Sequence, residues 1–191
     1  LSDLFDPKEI LRMSPSNFRL DSLGKQKVRL ALRKPSDLPE GEYRFHLLGK
    51  GRDVPQEKSA SEGEVAVGVG VNVGIAIPVI IRHGDLSATG KIKDFSFIPP
   101  SKAQSGKPEL AFTATREGNA STLGRVDVSW APEGQDFEDI GFITNFNLFT
   151  EIDYRKGAVP LNKFPAGKGK LRILYTDART NEVYDEVVID Q

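Results

Sequence analysis

The 191-residue chain contains no cysteine, two histidines, one methionine and one tryptophan. Without cysteine there is no disulfide framework, no thiol nucleophile and no thiolate zinc site. Two histidines, His46 and His83, are too few for a histidine-rich metal centre, and neither sits in an HExxH pattern. Excess charge of either sign is missing too. The 26 Lys and Arg nearly cancel the 27 Asp and Glu, for a net charge of -1. That balance excludes a generic nucleic-acid binder, which carries a basic surplus. No apolar run approaches the roughly 18 residues of a membrane span. The longest, around Val65–Ile81, is interrupted by glycines, Asn72 and Pro78. The chain begins with Leu1 and shows no signal peptide, so it is expected to be a processed product or a fragment of something longer.

Helical periodicity is also scarce. The stretch Asp3–Met13 has room for a turn or two between Pro7 and Pro15. Beyond Pro15 the chain consists of short alternating runs separated by Gly, Pro, Asn and Asp. Before Gly84 these predict strands near Ile10–Leu20, Lys27–Arg33, Glu42–Leu48 and along the valine run. After Gly84 they predict seven more: Thr89–Ile98, Glu109–Thr115, Gly124–Trp130, Ile140–Thr150, Ala158–Leu161, Gly169–Thr176 and Glu182–Asp190. Seven short strands in about 100 residues suit one immunoglobulin-like sandwich. Four would leave an apolar inner face uncovered. The expected architecture is therefore all-β, two immunoglobulin-like sandwiches over residues 1–83 and 85–191, the first lacking its opening strands in this chain. The junction is expected at Arg82–Leu86, where alternation gives way to Gly84-Asp85.

The most informative segment is Val65–Ile77. Val65, Val67, Val69, Val71, Val73, Ile75 and Ile77 take every second position, with only Ala, Gly and Asn between them. A period of two puts all the branched side chains on one face of a strand. Such a strand at a sheet edge is an aggregation hazard unless something pairs with it, which points to strand addition to a partner. The glycines between do not match the dinucleotide fingerprint, and no helix follows. Elsewhere, Asp136, Glu138 and Asp139 form an acidic loop without the ligand spacing of a calcium site. No GxSxG elbow surrounds any serine. Asn119-Ala120-Ser121 matches a glycosylation sequon but reads as a hairpin tip, and Trp130 reads as core or rim. Neither a catalytic constellation nor a metal site nor a cofactor site emerges, and the chain is expected not to be an enzyme.

Three stretches then resemble one family. Ile10-Leu11-Arg12-Met13-Ser14-Pro15, followed by Phe18-Arg19-Leu20 and Val28-Arg29-Leu30, is similar to the proline-containing strand that leads into a "VRL" strand in the periplasmic pilus-assembly (PapD-like) chaperones. Leu38-Pro39-Glu40-Gly41-Glu42-Tyr43-Arg44-Phe45-His46-Leu47 resembles the lead-in to their F strand. The valine run ending Ile77-Pro78-Val79-Ile80-Ile81-Arg82 resembles their long G strand and its exit to the second domain. The resemblance is good over Ile10–Arg82 and looser over Leu86–Gln191.

The resemblance implies a periplasmic, ATP-independent chaperone that caps pilus or fimbrial subunits with its G strand and delivers them to an outer-membrane usher. Val67, Val69, Val71, Val73 and Ile75 would face the subunit groove, with Ile77 and Val79 turning into the chaperone's own core. Each buried Val or Ile would contribute about 1.5–3 kcal/mol. A client-free chain is expected to form a homodimer through the same edge. Neither nucleic acid nor membrane insertion is expected. The family's charged cluster between domains maps onto Glu42, Arg82 and Asp177, an Arg bridging two carboxylates. One departure is evident: the family holds the subunit's terminal carboxylate with an Arg on the first strand and a Lys on the G strand. The first strand is missing here and the Lys position is Pro78, leaving Arg44 as the candidate carboxylate anchor. The alternative is a secreted structural or adhesive β-sandwich that self-associates through the valine strand. An enzyme or lectin rests on fold analogy alone.

Overall fold

The structure, a computed structural model, describes residues 6–51 and 73–191. It is all-β, with 58% strand against 2% helix and several antiparallel sheets. The chain divides into two compact units, residues 1–39 with 43–81 and residues 40–42 with 82–191.

The first unit opens with a single helical turn, α1 (Pro7–Ile10). Asp6 caps it by accepting a hydrogen bond from the Lys8 amide at 2.9 Å, and Pro7 takes the first helical position, where its missing N–H costs nothing. The expected strand over Ile10–Leu20 is therefore shorter. It is β1 (Leu11–Ser14), ended by Pro15, which has no amide to continue a ladder. β1 pairs antiparallel with β2 (Arg29–Leu32), matching Leu11 to Leu32 and Met13 to Leu30. These apolar residues share one face of the ribbon, and Met13, Leu30 and Leu32 are exposed. β3 (Gly41–Lys50) and β4 (Gly74–His83) pair with each other. Among the described residues of this unit, only Ile10 and Leu38 are fully buried apolar side chains.

The second unit builds a different kind of interior. β5 (Ala88–Ile98), β6 (Glu109–Gly118) and β9 (Tyr154–Pro160) form a three-stranded antiparallel sheet in the order β5-β6-β9. β7 (Thr122–Pro132), β8 (Glu138–Leu148), β10 (Gly169–Asp177) and β11 (Val183–Asp190) form a four-stranded one in the order β11-β10-β7-β8. Each of the seven strands expected after Gly84 lies on one of these. Alternate residues of both sheets turn inward: Leu110, Phe112 and Ala114 from β6, Val126, Val128 and Trp130 from β7, and Leu171, Ile173 and Tyr175 from β10. Two contacts touch the sheet edges. Gly141 bridges to Leu161 beside β8, and the Ile92 amide of β5 donates to Asp185 of β11 at 2.7 Å.

Tyr175 sits at the centre of this core. Its ring packs against Tyr184 at 5.0 Å and edge-on to Phe146 at 6.0 Å. Its hydroxyl is 2.7 Å from the Thr122 hydroxyl and 3.2 Å from the Phe146 carbonyl. Room for the ring comes from Gly124 and Gly90. A Cβ on Gly124 would overlap the ring and lie 2.8 Å from the Phe146 carbonyl oxygen, and one on Gly90 would lie 2.5 Å from the ring. Tyr175 is thus buried at two glycine gaps that no other residue could leave open.

Candidate functional site

The hairpin between β6 and β7 turns through Gly118 at φ 99° and puts Asn119-Ala120-Ser121 at its tip. Asn119 holds the segment that leads into β5, accepting from the Ser87 amide at 2.8 Å and donating to the Asp85 carbonyl at 3.3 Å. Ser121 faces inward and is fully buried. Its partner is Glu42, from the start of β3, whose side chain is 1% exposed. The Glu42 carboxylate accepts from the Ser121 amide at 3.0 Å, from the Ser121 hydroxyl, and from Arg82 Nε at 3.1 Å. Arg82, at the end of β4, donates through Nη2 to the Ser121 carbonyl at 2.6 Å. The result is a closed ring of charge-assisted bonds within the second unit.

Sequence reasoning thus paired Glu42 with Arg82, and the structure brings them together. It missed Ser121, because nothing in a hairpin-tip serine announces that its hydroxyl and amide face a carboxylate 79 positions away. Asp177, assigned to the same cluster, has other partners. One oxygen accepts from the amides of Arg179 and Thr180 at 2.8 and 3.0 Å, and the other from the Tyr184 hydroxyl at 2.7 Å. The Arg179 guanidinium adds an ion pair at 3.8 Å. Asp177 is the Asx-type cap of the β10–β11 turn, and local geometry claims both its oxygens.

Both carboxylates titrate low. Burial pushes Glu42 up, but the bonds from Ser121 and Arg82 outweigh it and hold the group below the ordinary carboxylate range. Asp177 likewise is raised by burial and lowered further by Tyr184 and the two turn amides. A depressed folded-state pKa contributes stability that is present above the unfolded value and lost as pH falls through the folded one. Unfolding free energy is therefore expected to fall as pH drops below about 4.3, the ordinary carboxylate value. Glu42→Gln/Asp177→Asn should show a shallower decline than wild type between pH 6 and pH 3 in urea titrations. Equal slopes would contradict this assignment.

Of the valine strand, Val65, Val67, Val69 and Val71 lie outside the described residues. The described end is Val73, Ile75 and Ile77, which are 71%, 67% and 56% exposed. The Gly51 amide donates to the Val73 carbonyl at 3.4 Å, so this end pairs with the chain that leaves β3. The core was expected to begin at Ile77. Instead Ile77 is solvent-facing, and partial burial starts at Val79. Arg44, two residues beyond Glu42 on β3, shares its face by strand alternation and is half-buried. His46 is exposed on the same strand.

The remaining candidates take structural parts. Trp130 is buried in the core. Glu138 of the acidic loop pairs with Lys163, and Asp139 accepts from the Ser129 hydroxyl at 2.7 Å. Among the described residues no three His, Asp or Glu side chains lie close enough to hold a metal ion, and no helix is long and apolar enough to cross a membrane. Comparison of the chain with protein-family models, with curated proteins and with solved structures finds no match.

Proposed function

We propose that this protein is a periplasmic, ATP-independent chaperone of two immunoglobulin-like domains that caps pilus or fimbrial subunits by strand donation and hands them to an outer-membrane usher. The donated strand is the alternating run Val65–Ile77, with Val67, Val69, Val71, Val73 and Ile75 in the client groove. The observation that carries this reading is the exposure of Val73, just before β4, and of Ile75 and Ile77 in its first residues. Among the described residues β4 has one strand neighbour, β3, and a strand with one neighbour can accept a second. Apolar side chains at period two on a free edge are what a groove with successive pockets would accept.

Within the second unit the Glu42–Arg82–Ser121 ring ties the first residues of β3 to the last of β4. Arg44, on the same face of β3 as Glu42 by strand alternation, is the proposed anchor for the client carboxylate.

The test is co-expression with a pilin-like subunit that lacks its final strand, followed by pull-down. The wild-type chain should yield a soluble heterodimer. Val71→Asp and Ile75→Asp, each putting a charge into an apolar groove, should lose at least about 90% of the captured subunit, since burying an unpaired carboxylate costs several kcal/mol. Their thermal melting should stay within a few degrees of wild type. Full capture by both variants would reject strand donation. Self-association of the client-free chain, abolished by the same substitutions but unaffected by any subunit, would favour the structural or adhesive reading instead.

A further inference from the structure

Charge is unevenly distributed along a chain whose net charge is only -1. Residues 8–34 hold eight Lys or Arg against two acidic residues. The β1–β2 ribbon sorts part of that charge onto one face. Arg12 lies opposite Ala31, and Ser14 opposite Arg29. The Arg33 amide donates to the Ile10 carbonyl at 2.7 Å, which extends the ladder one step past β2. Arg29, Ala31 and Arg33 therefore point one way, and Arg12 fills the cross-strand slot beside Ala31. The side chains of Met13, Leu30 and Leu32 take the other face.

Arg12, Arg29 and Arg33 are exposed, and among the described residues none of them meets a carboxylate. Lys27, two residues before Arg29, lies just outside β2. At the Ser14 end the surface dips into a recess of about 450 Å³ lined by Ser14, Pro15, Lys27, Val28 and Arg29. Two cationic residues and a serine thus line one concavity. Arg33, the next cation of the same row, is two same-face repeats or about 13 Å beyond Arg29, and Arg12 stands beside Ala31 on the neighbouring strand.

We propose that this face binds an extended acidic polypeptide segment carrying carboxylates on alternate residues, one of them seated in the recess between Lys27, Arg29 and Ser14. An extended peptide repeats its same-side carboxylates at about 6.6–6.8 Å, so carboxylates two repeats apart match the spacing of Arg29 and Arg33, and guanidinium groups receive carboxylates bidentately. A single-stranded nucleic acid needs aromatic platforms for its bases, and none of Arg12, Ser14, Arg29, Ala31 and Arg33 is aromatic. A bilayer is flat and would leave the recess empty. The inference is independent of strand donation, because it uses neither β4 nor the valine run.

The experiment measures fluorescence anisotropy of a labelled ten-residue peptide of alternating Glu and Ser with the full chain at low salt. The wild-type protein should bind it, and should bind the matching Gln–Ser peptide at least about tenfold more weakly. Arg12→Glu/Arg29→Glu should lose about tenfold or more, Arg12→Lys/Arg29→Lys should retain most of the affinity, and Lys102→Glu/Lys107→Glu on the second unit should match wild type. Among the described residues the Arg12 and Arg29 side chains make no ion pair, so circular dichroism should be unchanged in all three. The proposal is overturned if the Glu–Ser peptide does not bind at millimolar concentration, or if the charge reversal on the second unit weakens it equally. It is also overturned if a ten-nucleotide single strand or vesicles of anionic lipid bind the same arginines more tightly than the peptide.

Discussion

Glu42→Ala is expected to lower the unfolding free energy by about 3 kcal/mol, among the largest single-residue effects outside the core. The side chain is almost fully buried and accepts from the Ser121 amide, the Ser121 hydroxyl and Arg82. Truncation strips Ser121, itself fully buried, of acceptors for two donors, each costing about 1–3 kcal/mol when left unmade. It also leaves the Arg82 guanidinium without its carboxylate. The loss stops short of the upper range for broken buried pairs because Arg82 is 31% exposed and water can take over part of its solvation. Glu42→Gln keeps one acceptor oxygen and should cost roughly half as much. Urea titration at pH 7 measures both. A change below about 1 kcal/mol for the alanine variant would mean that the ring contributes little.

The second large effect is expected at Gly124. Gly124→Ala should destabilise by about 3 kcal/mol or more, at or above the upper end of ordinary overpacking costs. The added methyl would overlap the Tyr175 ring, and on its other side the Phe146 carbonyl is 2.8 Å away. Neither neighbour can retreat. The ring is wedged against Tyr184 and Phe146, and the carbonyl belongs to the paired strand β8. Shortening the obstacle should relieve the strain, so Tyr175→Leu/Gly124→Ala should be less destabilised than the sum of the single changes by about 1–2 kcal/mol. Strict additivity in thermal or urea unfolding would show that the clash is absorbed elsewhere.

Strand content was readable residue by residue wherever one face of a strand is buried. The alternation in Val126, Val128 and Trp130, or in Leu171, Ile173 and Tyr175, has period two because those side chains enter one core. β9 was half legible. Ala158–Pro160 carries the apolar signal, whereas Tyr154–Gly157 is polar and is held as a strand by its pairing with Thr115–Phe112. At the other end of the chain, an expected strand over Ile10–Leu20 contracts to Leu11–Ser14. Asp6 and Pro7 together start a helical turn, and Pro15 stops the ladder.

By itself the sequence determined an all-β chain, a valine run with a branched side chain at every second position, and Glu42 as the partner of Arg82. The first two follow from local periodicity, and the grouping of Glu42 with Arg82 from the resemblance to the chaperone family. Only the tertiary structure decided that Ser121 closes the Glu42–Arg82 ring, that Asp177 serves its own turn, and that Arg12 joins Arg29 and Arg33 on one face. Those outcomes depend on register. Which residue stands opposite which, across 17 positions between Arg12 and Arg29 or 79 between Glu42 and Ser121, is set by the pairing of strands and not by the spacing of residues along the chain.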